Sequence, residues 1–99
     1  MAIYNLSLSG DVLTVGFNPA EPASNSELCF FVKQELEKIN FPPGKLIKIN
    51  GAASLPLALV LGKKLAPLYG AVGVFDPKLQ KYVIAVSSSS QFQVGDLVE

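Results

Sequence analysis

Asp76, Pro77 and Lys78 set a carboxylate and an ammonium two positions apart, in a short polar break between two apolar runs. A loop held between strands is where a chain presents groups to a ligand, and an acid beside a cation can grip a phosphodiester and stabilise charge developing on it. Asp-Pro followed by Lys is equally ordinary turn chemistry. The second candidate is the segment Lys48-Ile49-Asn50-Gly51-Ala52-Ala53-Ser54. Small residues between a strand end and a helix start leave backbone N–H groups and the positive end of the helix dipole open to an anion. The Walker pattern GxxxxGK[ST] is absent, and the same residues also make a plain Asn-Gly turn before a capped helix. Lys63 and Lys64 could face a phosphate or simply solvent, and the run Ser87 to Ser90 could donate hydroxyls or form a loop. Cys29, among apolar neighbours, reads as a core residue.

The absent residue types narrow the chemistry further. The chain holds no His, no Arg and no Trp. Without His there is no imidazole general base, no Ser-His or Cys-His dyad, and no ordinary zinc site. Without Arg, a phosphate must be held by Lys, hydroxyls or backbone N–H groups, never by a guanidinium fork. Eight Lys balance eight acids, yet positions 1 to 44 carry two Lys against five acids and positions 45 to 99 carry six against three. An anionic ligand should therefore favour the C-terminal half. One Cys makes no internal disulfide, the beginning shows no signal-peptide pattern, and the longest apolar stretch, 52 to 61, is too short for a bilayer. The expectation is a cytoplasmic protein with no membrane association.

The elements that must position these residues fit one domain over residues 1–99. Ile3, Leu6 and Leu8 begin a strand that Ser9-Gly10-Asp11 turns back into Val12 to Phe17, a β-hairpin. After the Pro-containing break at 18 to 23, Ser24 or Ser26 can cap a helix whose apolar side is Leu28, Phe31, Val32, Leu36 and Ile39, ending at Asn40. Leu46 to Ile49 is a strand reaching Asn50-Gly51, and Ser54 caps a second helix with Pro56 in its first turn. Residues 55 to 61 are apolar on every side, which predicts a helix more enclosed than the first, touching a partner as well as its own sheet. Pro67 ends or kinks it. Ala71 to Phe75 and Tyr82 to Val86 are strands joined by the 76 to 81 turn, followed by a short tail. The order ββαβαββ predicts an α+β two-layer sandwich, helices on one face of a mostly antiparallel sheet. Its uncovered face and edges call for a second copy, hence a homodimer or higher homo-oligomer.

Several of these segments form a more specific pattern. Lys48-Ile49-Asn50-Gly51, Ala53-Ser54-Leu55-Pro56, Leu68-Tyr69-Gly70-Ala71, Val74-Phe75-Asp76-Pro77-Lys78-Leu79, Lys81-Tyr82-Val83 and Val94-Gly95-Asp96-Leu97 resemble the CRISPR-associated Csx-three family. Ile3-Tyr4, Leu13-Thr14-Val15-Gly16-Phe17 and Pro19-Ala20 extend the resemblance over most of the chain. It implies a small ferredoxin-like protein, dimeric or assembling further, that binds cyclic tetra-adenylate between subunits. Such proteins act as ring nucleases that switch off type III CRISPR antiviral defence, and manganese-dependent exonuclease activity on RNA has also been ascribed to them. The resemblance assigns Asp76 and Lys78 to the catalytic loop and Asn50, Gly51 and Ser54 to the ligand groove. It also implies two histidines four residues apart on the second helix and one after the last strand, where this chain has Lys63, Pro67 and Ser88. Lys63 and Ser88 are kept as ligand-binding candidates.

Three readings follow. The chain is a cyclic oligoadenylate phosphodiesterase working by positioning, with Asp76 and Lys78 at its centre; or a binding-only sensor of cyclic tetra-adenylate or short RNA; or an oligomeric module recruiting a protein through its apolar second helix. Ring cleavage by the ligand's own 2′-hydroxyl needs orientation and charge stabilisation, and losing general acid–base catalysis costs about two to four orders of magnitude. No metal ligand set is named, because one loop carboxylate is not one, so manganese rests on resemblance alone.

Overall fold

The computed structural model describes residues 2–99. β1 (Tyr4–Ser9) and β2 (Val12–Phe17) form the expected hairpin, with Gly10 at φ 60° in its turn. α1 (Asn25–Lys38) starts at Ser24, whose hydroxyl accepts from the Glu27 N–H at 3.2 Å while the Glu27 carboxylate accepts from the Ser24 N–H at 3.0 Å. That reciprocal capping holds the Glu27 carboxyl below the usual range, the Ser24 backbone N–H being the larger cause and its hydroxyl the second. β3 (Gly44–Gly51), α2 (Leu55–Leu65), β4 (Tyr69–Asp76) and β5 (Lys81–Ser87) follow, and Pro56 is accepted in the first turn of α2.

With a last short strand β6 (Leu97–Val98), the sheet order is β1-β2-β3-β4-β5-β6, every strand lying beside its sequence neighbour. Three of its five pairings are antiparallel, and the two central ones, β2 with β3 and β3 with β4, are parallel. Each parallel pairing is bridged by a helix. The two crossovers step the same way across the sheet and leave α1 and α2 on one face, where they pack on each other. The α+β layering is thus consistent with a ferredoxin-like two-layer sandwich. The core lies between the layers: Leu13, Val15, Ile47, Ile49 and Val72 from the sheet meet Leu28, Val32, Leu36, Leu57, Leu61 and Leu65 from the helices.

One expectation is corrected. The tail is not merely a tail, because Leu97–Val98 forms β6 against Val83 and Tyr82 of β5. Gly95 at φ 98° and the Asp96 carboxylate, which accepts from the Gln93 N–H at 2.8 Å, make the tight turn that re-aims the chain. With Ile84 N–H donating to the Asp96 carbonyl, the chain's own tail rather than a second copy closes that sheet edge. Within one chain α2 is enclosed along one side. Leu57, Leu61 and Leu65 are buried at i, i+4, i+8, while Leu55 and Leu59 are 84% and 76% exposed.

Candidate functional site

Parallel β3 and β4 end together, and this decides which candidate residues meet. Ile49 lies beside Val74, so Asn50 and Gly51 fall level with Phe75 and Asp76, and the start of α2 follows at the same end. The crevice beyond the carboxyl ends of parallel strands is a recurrent ligand position, since helix N-termini and strand-end loops converge there.

Each residue has a definite local task. Gly51, at φ 134°, swings the chain sharply out of β3, and a Cβ there would sit 1.8 Å from the Val15 carbonyl oxygen. Only glycine passes. Ser54 caps α2, its hydroxyl accepting from the Leu57 N–H at 3.4 Å and donating to Asn25 Oδ1 at 2.7 Å. Asp76 Oδ1 accepts from the backbone N–H groups of Lys78 at 2.9 Å and Leu79 at 3.3 Å. The carboxylate therefore shapes its own turn, which Gln80 completes at φ 56° with its N–H donating to the Asp76 carbonyl at 2.8 Å. The Lys78 side chain is exposed and is paired with no carboxylate among the described residues.

The structure adds Phe75 and Tyr82, which the sequence reading did not assign to a site, to Lys48 and Asn50 of the second candidate segment. Lys48 and Asn50 alternate with the buried Ile47 and Ile49, so they point away from the helices, and the register puts Phe75 and Tyr82 on that same open face. The Phe75 and Tyr82 rings meet edge to face with centroids 5.2 Å apart, and Lys48 Nζ lies 5.5 Å from the Tyr82 centroid. Asp11 stands 3.6 Å from the same ammonium. The patch combines half-buried aromatic surface, a cation and the Asn50 amide, next to the Asp76 turn. Aromatic faces and lysines together stack bases and hold phosphates. Lys48 and Tyr82 are 34 positions apart, so no local pattern could have paired them; only the strand register does.

Lys63 and Ser88 lie elsewhere. The Ser88 N–H donates to the Gly70 carbonyl near the start of β4, six residues before Asp76, which is about 20 Å along an extended strand. Lys63 sits in the last turn of α2, on the helix side of the sheet. A cavity of about 650 Å³ along α2 and the uncovered helix-side surface of β4 and β5 joins Gly51 at one end to Lys63 at the other, with an otherwise apolar lining that includes Leu55, Leu59, Val74 and Val86.

Among the described residues there is no group of three or more His, Cys, Asp or Glu side chains placed to share a metal ion, and no helix is long and apolar enough to cross a membrane. No known protein-family model matches the chain, and no curated protein matches it.

Proposed function

We propose that this chain binds cyclic tetra-adenylate between two copies of itself, as a CRISPR-associated component of type III antiviral signalling, and opens the ring by positioning it. The observation that carries this reading is the open-face cluster of Lys48, Phe75 and Tyr82 beside Asn50 and the Asp76–Lys78 turn. Adenine offers a face to stack and phosphate offers charge to an ammonium, and this cluster supplies both partners. A two-fold dimer presents every such group twice, matching the internal symmetry of a ring of four identical nucleotides. Two copies that enclose one ring would oppose through this open face; the apolar groove bounded by Leu55, Leu59, Val74 and Val86 lies on the other, helix-side face of the sheet. Lys63, in the last turn of α2, stands on that helix side and away from the ring.

In the ring-opening step the 2′-oxygen of one nucleotide attacks the adjacent phosphorus and the P–O5′ bond breaks. The hydroxyl proton passes to water, and a water proton reaches the leaving 5′-oxygen, leaving a 2′,3′-cyclic phosphate on a linear product. The Lys78 ammonium and backbone N–H groups stabilise the charge that builds on the phosphate oxygens. One observation favours a second reading, binding without cleavage: Asp76 Oδ1 is already committed to two turn N–H groups, and no imidazole stands in for it. Calorimetry of the purified protein with cyclic tetra-adenylate, with chromatography of products in the presence and absence of manganese, separates the two. Binding with linear products supports the ring nuclease, binding without products supports the sensor, and absence of both, or preference for short linear RNA, overturns the proposal.

A further inference from the structure

The outer surface of the helix layer carries a second groove, which shares Leu59 and Lys63 with the groove along the sheet. Buried positions on α1 are Leu28, Val32 and Leu36, and on α2 Leu57, Leu61 and Leu65. The stripes beside them mix apolar with charged residues: Cys29, Phe30 and Val60 stand among Lys33, Lys63 and Lys64. Phe30 is 68% exposed, and Val60 lies half-buried across from it. Two adjoining cavities of about 540 and 560 Å³ share Lys33 and Val60 and together follow the α1–α2 seam from Asn25 to Glu37. Twelve helical steps span about 18 Å. That is longer than a single small molecule fills and close to three turns of a docked helix.

Charge identifies the occupant. Lys33, Lys63 and Lys64 line the groove, none is paired with a carboxylate among the described residues, and Glu37 is the one acidic residue on its walls. Glu37 and Lys33 share α1 at i and i+4 in the less favourable order and form no ion pair. An apolar floor with an uncompensated cationic rim fits an amphipathic helix whose apolar side is flanked by Asp and Glu. We propose that the α1–α2 groove docks an acidic amphipathic helix of about three turns from another protein, with Phe30 and Val60 as the apolar contacts and Lys33 and Lys64 as the charged ones.

The test uses a fluorescein-labelled 18-residue helical peptide with Leu at alternating spacings of three and four, flanked by Glu, against the full chain in fluorescence anisotropy. Saturable binding is expected. Lys33→Glu with Lys64→Glu should weaken it at least tenfold and admit the same peptide with Lys in place of Glu, while Phe30→Ala should weaken it at least fivefold. All three positions are on the surface, so melting curves should stay unchanged. No saturable binding, equal binding of the Glu and Lys peptides, or equal binding of a peptide broken by a central proline overturns the proposal. Binding of dodecyl phosphate below its micelle threshold in place of the peptide overturns it in favour of a small amphipathic anion. A change of sedimentation state in Phe30→Ala overturns it in favour of a contact between copies of this chain.

Discussion

Asp76 carries two separable properties, a negative charge and an acceptor oxygen that organises its turn. Asp76→Asn keeps an oxygen for the Lys78 and Leu79 N–H groups, so urea unfolding should show a change under about 0.5 kcal/mol. Asp76→Ala leaves both donors to solvent and should cost about 1 kcal/mol. If the charge contributes to ring opening, Asp76→Asn removes linear products while calorimetric binding of cyclic tetra-adenylate persists. Tyr4 gives a pH prediction. Its hydroxyl donates to the Ala52 carbonyl, which ties β1 to the loop after β3, and burial pushes its pKa up to about 12. The folded phenol holds its proton where the unfolded one, at about 10, releases it. Stability from Tyr4 is therefore complete below pH 10 and is lost as the pH rises towards 12, by up to about 1.4 kcal/mol per pH unit. Urea midpoints measured across that window should fall more steeply for the native chain than for Tyr4→Phe.

At the scale of elements, α2 begins where three demands coincide: the φ 134° exit at Gly51, the Ser54 cap and Pro56 in the first turn. Both of the Ser54 hydroxyl's contacts are internal, to the Leu57 N–H and to Asn25. Ser54→Ala should cost about 1 kcal/mol, lowering the melting temperature by about 4–8 °C for a domain of this size, while affinity for cyclic tetra-adenylate stays within twofold. A larger loss of affinity with an unchanged melting curve would instead put Ser54 on the ligand. These local features were legible in the sequence because caps, turns and helix periodicity are short-range. Ser24, Ser54, the Gly10 turn and both helices stand where the residue patterns put them. What was not legible was β6: two residues, Leu97 and Val98, become a strand only because the Gly95–Asp96 turn brings them to the β5 edge.

At the scale of the whole molecule, the helix layer leaves the helix-side surface of β4 and β5 bare, and Leu55, Val74 and Val86 remain exposed around the groove there. Leu55→Glu puts a charge into that groove at a position with no buried contacts to lose. Because the ring-holding cluster faces the other side of the sheet, analytical ultracentrifugation should show Leu55→Glu sedimenting as the native chain does, with ring binding unchanged; monomer with lost ring binding would place the interface at that groove. By itself the sequence determined the layers, the helix and hairpin positions, the absence of imidazole and guanidinium chemistry, and the surplus of lysine in the second half. Each follows from composition or from neighbours within a few residues. Tertiary structure alone decided that Asn50, Gly51 and Asp76 share one end, that Ser88 lies about 20 Å away from them, and that Lys48 meets Phe75 and Tyr82. Those juxtapositions depend on strand register, parallel pairing and the alternation of faces, which residues far apart in the chain set only by packing on one core.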